Sequence, residues 1–414
     1  MSKKETSVQE TLPEKDPMQL SREFYENSMG KINRKSGAAR FLPTVLFVVF
    51  VFVMSVWFVF SPKSEYSSSE KRYLQKFPET TFEKIIDGSF SDGFEKYFAD
   101  HFPMRNFWVG FDAYYNVILG NNGANGVYKG KGDYLINKPV SQENNIEKNI
   151  KAVTDFKKII PQTPVTVMFA PSTGYIVSDA LPDVHDSYHD DDYFSYAQQT
   201  LNENNVNFVD LRQTFKDAYA QRIKLYYRTD HHWTTSGAYI AYTRLCEQLG
   251  IAPCPKNQFT AQEYGGFFGT TYSTSGFWLT QSDTIQVRTN PSNTENNIAV
   301  KITEGVNTKE YHSLYFYNHL EEDDKYPVFL DGNHPLTTVE NTNASNGTII
   351  LIKDSFSHCL APFLAENYRK VILVDMRYYK QNISQMVQTE NPEQVVVLYG
   401  IDNFATDTDI VWLG

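Results

Sequence analysis

The pattern of apolar and polar positions changes texture several times along the chain. Residues 1–40 are polar and mixed in charge with no apolar period, which predicts a disordered tail. Phe41 to Phe60 then runs twenty residues without a charge, enough for one helix to span a bilayer. Residues 61–130 read as a linker and N-terminal helical region. It holds a Ser-rich stretch (Ser67, Ser68, Ser69), an amphipathic helix pattern around Phe90, Phe94, Tyr97 and Phe98, and a Gly-rich loop.

From 131 onward short apolar strand runs alternate with helical stretches. Strands are predicted at 134–136, 165–170, 206–211, 348–352, 371–375 and 395–399, and helices near 144–160, 192–204, 358–367 and 379–389. The last three strand runs lie about 23 residues apart with helices between them, the spacing of βαβ units. That predicts an α/β domain over 131–414, a parallel sheet with helices on both faces. Residues 253–345 break the alternation. They are rich in Thr, Asn, Gly and aromatics, which predicts a β-rich insert.

Charge orients the apolar span. Lys31, Arg34, Lys35 and Arg40 precede it, whereas Lys63 is the one basic residue in the ten positions after it. The positive-inside rule puts the N-terminus in the cytoplasm and 61–414 outside, a single-pass type II topology at the cell membrane. A cleaved signal peptide is the rival reading, but Ser61-Pro62-Lys63 offers no small-x-small cleavage site. The net charge of -11 argues against nucleic acid as a partner. Cys246, Cys254 and Cys359 form no C-x-x-C metal or redox spacing, and Cys246 and Cys254 are near enough to pair or to stay free.

Open parallel sheets place ligands beyond the C-terminal ends of their strands. Ser355 stands there, at the turn after 348–352, where a helix N-terminus can stabilise a developing oxyanion. A serine hydroxyl needs a base, and the base an orienter. The run Asp230-His231-His232-Trp233 supplies both, with Asp230 holding one ring nitrogen of His232 and the other facing Ser355. Thr234, Thr235 and Ser236 suit a helix cap directly after it, and Gly250 closes the helical spacing of Ala238, Ala241, Tyr242, Leu245 and Leu249. His358 competes as base, with Asp354 the one acid nearby. Arg377 and Asn403 follow the next two strands, where Asn403 can donate to an oxyanion and either can brace a loop. The run His185–Asp192 reads as a solvated acidic loop, with a divalent-metal site as the sharper alternative.

Asp230-His231-His232-Trp233 resembles the signature of the DHHW family of bacterial membrane-anchored proteins. Asp354-Ser355-Phe356 resembles the Asp-Ser-Leu block of SGNH hydrolases, and Ser355-Phe356-Ser357 the Ser-Tyr-Ser block of alginate O-acetylation proteins. The latter share the permuted order, Asp-x-His-Trp before the serine. Phe102-Pro103-x-Arg105 and Gly266-Phe267-Phe268-Gly269-Thr270 extend the likeness over most of 70–414.

The resemblance implies a flavodoxin-like SGNH fold with Ser355 as nucleophile, His232 as general base and acid, and Asp230 as its orienter. It also implies oxyanion or substrate binding by Arg377, Asn403 and Phe356. The activity implied is O-acyl (acetyl) transfer or ester hydrolysis on a cell-surface polysaccharide without a cofactor or metal. The implied partner is a membrane-bound O-acyltransferase. Two alternatives stand beside this: a non-catalytic polysaccharide-binding or scaffold protein, and a metal-dependent hydrolase using the His185–Asp192 run with His231 and His232. Lys353 departs from the Gly that SGNH hydrolases usually carry before the Asp-Ser pair.

Overall fold

The computed structural model describes residues 18–19, 21–26, 37–140 and 143–413. Of the tail expected over 1–40, the described residues are helical and the remainder lies outside them. The chain divides into two compact units, Met1–Ser64 with Gln75–Pro103, and Glu65–Leu74 with Met104–Gly414.

The first unit is built on α1 (Gly37–Phe60) and α2 (Ser89–Asp100). Phe41–Phe60 has a mean hydropathy of 2.6 and is almost wholly exposed. Among the described residues it is the one helix long and apolar enough to cross a membrane. Phe90, Phe94 and Phe98 recur every fourth residue on α2 and stack along it, and Phe98 meets Phe58 of α1 at 4.9 Å. That spacing places them on one helix face.

The second unit holds an eight-stranded sheet. Its strands are β1 (Val165–Ala170), β2 (Asn207–Val209), β3 (Ile298–Glu304), β4 (Asn307–Tyr311), β5 (Leu336–Asn341), β6 (Asn346–Lys353), β7 (Tyr368–Val374) and β8 (Gln394–Gly400). They lie in the order β4-β3-β5-β7-β6-β8-β1-β2. The five from β7 to β2 are parallel, and β5, β3 and β4 extend the sheet antiparallel.

Burial explains the division. Ile349, Leu351, Val371, Leu373, Val396 and Leu398 join one apolar core with α5 (Thr235–Leu249) and α7 (Phe356–Leu364). Their alternates Ile350, Ile352, Ile372, Val374, Val395 and Val397 join a second core. That core includes residues of α3 (Glu143–Ile159), α4 (Asp190–Glu203), α8 (Ile383–Glu390) and α9 (Ile401–Thr406). A strand buried on both faces has no polar alternation, hence the unbroken apolar runs. Each such side chain contributes roughly 1.5–3 kcal/mol by leaving water. Along β3 and β5 burial alternates instead, one face in and one partly out. The stretch 253–345 thus contributes three strands to the main sheet, plus a two-stranded sheet of Thr260–Phe267 and Asp283–Thr289.

Two local expectations are corrected. The helix predicted near 358–367 begins earlier, at Phe356, which makes Pro362 the seventh residue of α7. Its missing N–H leaves the helix unable to continue regularly, and α7 stops at Leu364. The acidic run expected as a loop over 185–192 becomes helix at its end. Asp190, Asp191 and Asp192 form the first turn of α4, where the helix dipole favours carboxylates.

Candidate active site

The Asp230–His232 segment is a tight return. Tyr226 and Trp233 bridge as an antiparallel pair, and the Thr234 N–H donates to Leu225 O at 2.7 Å. The Thr234 hydroxyl then caps α5 by accepting from the Gly237 N–H. The return is pinned from behind by fully buried Trp233, whose Nε1–H donates to Phe356 O at 3.0 Å.

Within the return, Asp230 Oδ1 accepts from the His232 backbone N–H at 2.8 Å and from its Nδ1–H at 2.5 Å. Oδ2 accepts from the N–H and hydroxyl of Thr270, at 2.7 and 3.1 Å. With Nδ1 donating, Nε2 is left to accept, and Ser355 Oγ lies 2.6 Å from it. The three side chains form one buried line, with Asp230 1%, His232 4% and Ser355 8% exposed. Burial pushes the Asp230 carboxyl up, but the adjoining imidazoles of His232 and His231 and the hydrogen bonds from His232 outweigh it and hold it well below the usual carboxylate range. Gly269 is required here, because a Cβ on it would stand 2.1 Å from Asp230 Cβ.

Ser355 sits at the N-cap of α7, directly after β6. Asp354 shapes that turn. Its Oδ1 accepts from the Phe356 N–H at 2.9 Å, and its Oδ2 from the Gly400 N–H at 2.8 Å and Asn403 Nδ2 at 2.7 Å. Burial raises the Asp354 carboxyl above its ordinary value. Phe356 closes over Gly400 so tightly that a Cβ there would lie 2.4 Å from the ring. The Tyr326 ring stacks on His232 at 4.0 Å, and its hydroxyl donates to Ser355 O at 3.2 Å.

The other sequence candidates are arranged differently. Asn403 spends one amide hydrogen on Asp354 and keeps a second. Phe356 packs 5.1 Å from the His232 ring. Arg377 grips Asp375 with Nε at 2.8 Å and a terminal nitrogen at 2.6 Å, and reaches Asn333 with the latter. No hydrogen bond joins it to Ser355 or His232 among the described residues. Buried Lys353 donates to Asp375 at 3.0 Å and to His358 Nε2 at 2.8 Å. Burial, then the Lys353 charge, pushes His358 well below the ordinary imidazole range. That nitrogen is therefore committed to Lys353.

Among the described residues one group could offer ligands to a metal ion, Asp230, His231 and His232 within 4.8 Å. Their atoms already serve the bonds above, with His231 Nδ1 on the Thr270 hydroxyl at 2.7 Å. His185 and His189 lie outside that group. Cys246, Cys254 and Cys359 are free thiols.

The model of the DHHW protein family matches residues 144–374, more than half the chain, and includes both halves of this site. The chain belongs to the DHHW family. It is 26% identical over 183 residues to the probable alginate O-acetylase AlgJ of Pseudomonas putida, covering 42% of this chain and 47% of that protein. The DHHW chain thus spans about half the length of that curated relative. Its fold is similar to a crystal structure of a DHHW family protein from Eubacterium siraeum, with TM-score 0.60 and 18% identity over 70% of this chain and 95% of that one. It is also similar to Bacillus cereus PatB1 bearing a sulfonyl adduct, with TM-score 0.57 and 18% identity over 68% and 97%.

Sequence reasoning missed Thr270, Asp354 and Tyr326 as parts of the site. Thr270 stood within the matching Gly-Phe-Phe-Gly-Thr segment and Asp354 beside the serine, so both carried a signal. Tyr326 carried none.

Proposed function

We propose that this DHHW protein is a membrane-anchored O-acyltransferase or esterase of SGNH-like, three-layer fold that transfers acetyl through Ser355 to a cell-surface polysaccharide. The observation that carries the reading is the 2.6 Å contact of Ser355 Oγ with His232 Nε2, continued through Nδ1 to Asp230. Similarity to a probable alginate O-acetylase supports the acetyl and polysaccharide elements. The exposed Phe41–Phe60 helix supports a membrane anchor with the domain on the extracytoplasmic side.

In this reading the Ser355 O–H proton passes to His232 as Oγ attacks the acetyl carbonyl. Asp230 stabilises the imidazolium without taking the proton. The tetrahedral oxyanion accepts hydrogen bonds at the N-terminus of α7 and from the second Asn403 amide hydrogen. His232 returns its proton to the leaving group, which leaves an acetyl ester on Ser355. A glycan hydroxyl or water then repeats the sequence in reverse. Arg377, fixed by Asp375, keeps a permanent positive charge beyond Asp354 and Asn403, in the cavity they share. A membrane-bound O-acyltransferase would supply the acetyl group from the other side of the bilayer.

The test is hydrolysis of an aryl acetate by the purified full-length protein. The reading expects activity that Ser355→Ala abolishes and a chelator leaves intact. Activity retained in Ser355→Ala would defeat the serine mechanism, and loss to chelator would favour a metal.

A further inference from the structure

Lys63, just past the apolar span, marks where the span leaves the hydrocarbon. Its Nζ stands 3.8 Å over the Phe58 ring and donates to Phe58 O. An ammonium held there belongs among lipid headgroups, because a charge deep in a bilayer is costly. Phe58 therefore sits at the boundary of acyl chains and headgroups, about 3 Å of helix rise before Phe60.

The segment after the span returns to that level. The Phe98 ring lies 4.9 Å and the Tyr97 ring 6.1 Å from Phe58, all within the first compact unit. Around the α2 axis Phe90, Phe94, Tyr97 and Phe98 share one face, and Asp92, Glu95 and Lys96 lie away from it. Phe77 packs edge-on against Phe90, Phe94 and Tyr97, yet Phe94 and Phe98 remain 39% and 40% exposed. The short helix Phe82–Ile86, just before α2, leaves Phe82, Ile85 and Ile86 exposed as well. Asp92, Glu95 and Asp100 outnumber Lys96 on α2, so anionic lipid offers it no attraction. Burial of the apolar face has to supply any affinity for a membrane.

Resting on the reading of Phe41–Phe60 as a membrane anchor, we propose that α2 is a second membrane-bound element. It lies in the lipid boundary with Phe94 and Phe98 among the acyl chains and Asp92 and Glu95 in water. The partner is the phospholipid surface itself. Contact with Phe58 sets the depth, and Tyr97 takes the interfacial position that suits an amphipathic ring. Part of the stretch expected as a linker, 75–103, is thereby bound to the bilayer.

The experiment reconstitutes the full-length protein in phosphatidylcholine vesicles, on a Cys254→Ser background in which the remaining Cys246 and Cys359 are buried. Phe94→Cys, Phe98→Cys, Asp92→Cys, Glu95→Cys and, within the span, Val49→Cys each receive a nitroxide. Its collision rates are measured with oxygen, which concentrates in lipid, and with a water-soluble nickel chelate. The oxygen-to-nickel ratio at 94 and 98 is expected to exceed that at 92 and 95 by at least about threefold, with the ratio at 49 higher still. Equal ratios on the two faces overturn the proposal, and so do labels at 94 and 98 shielded from both reagents, as they would be under protein. In either case a high ratio at 49 leaves the anchor standing. A low ratio at 49 overturns the anchor reading and the proposal with it. The wild type supplies an arm without substitutions, in which a phosphatidylcholine carrying a diazirine near its headgroup is expected to crosslink to the peptide containing Phe94 and Phe98. Crosslinking confined to the span overturns the proposal.

Discussion

Two buried histidines flank Ser355, and their surroundings make them opposites. His232 has an acid on Nδ1 and the serine hydroxyl on Nε2. His358 lies three residues from Ser355 in sequence, yet its Nε2 faces the Lys353 amine, which Asp375 holds in place. Sequence proximity favours His358, but the direction of the free lone pair favours His232. A base is made by what occupies its other nitrogen. In the Lys353–Asp375–Arg377 group the acid serves two cations and the histidine is only an acceptor.

The largest expected effect breaks the comparison directly. His232→Ala should lower aryl acetate turnover by about 10³–10⁴-fold, and Asp230→Asn by a similar factor through the wrong tautomer. His358→Gln, whose side-chain oxygen can still accept from Lys353, should cost less than tenfold. A larger loss from His358→Gln than from His232→Ala would reverse the assignment.

Lys353→Met should act on stability first. It leaves Asp375 buried with Arg377 alone, and breaking a buried pair costs about 3–5 kcal/mol, readable as a lowered midpoint in denaturant melts. Thr270→Val is smaller. It removes one of the two hydrogen bonds on Asp230 Oδ2, for about 1–2 kcal/mol of orientation, expected as roughly a tenfold fall in kcat with little change in KM.

A third histidine arrangement sharpens the contrast without touching chemistry. Asp331 Oδ1 accepts from His319 at 2.6 Å, Asp331 O accepts from His334 at 3.0 Å, and Glu322 and Glu304 hold the outer nitrogens. Burial lowers both imidazoles, but these acids outweigh it and raise them above their ordinary value. Burial likewise raises Asp331, and the two histidines outweigh it and lower it. The histidines' contribution is thus full below the ordinary imidazole range and is lost as pH rises through their raised values. The Asp331 contribution is lost as pH falls through its lowered value. Unfolding free energy should decline as pH rises out of the ordinary imidazole range, and Asp331→Asn should flatten that slope. An unchanged slope would remove the charge from this cluster.

The parallel strands were legible because burial on both faces leaves continuous apolar runs, as in β6, β7 and β8. The antiparallel extension was not resolved into strands. β3 and β5 alternate with partly exposed Thr and Lys, and the long loops between them hide the period. For the site, Asp230 and His232 share a loop and Ser355 ends a strand, so local pattern marks each of them. Tyr326 lies in a stretch without period, and only the tertiary fold brings its ring onto His232. The engagement of Arg377 by Asp375, two residues before it, was a local pair overlooked in favour of its strand-end position.

The central claim, an acyl group carried on Ser355, is open to one direct measurement. The full-length protein would be mixed with an aryl acetate, quenched in acid within the first turnover and digested for mass spectrometry. The account predicts one added acetyl on the peptide containing Ser355, enriched when deacylation is slow and absent in His232→Ala. Turnover with no acetyl on that peptide, or acetyl on another residue that persists in Ser355→Ala, would contradict it.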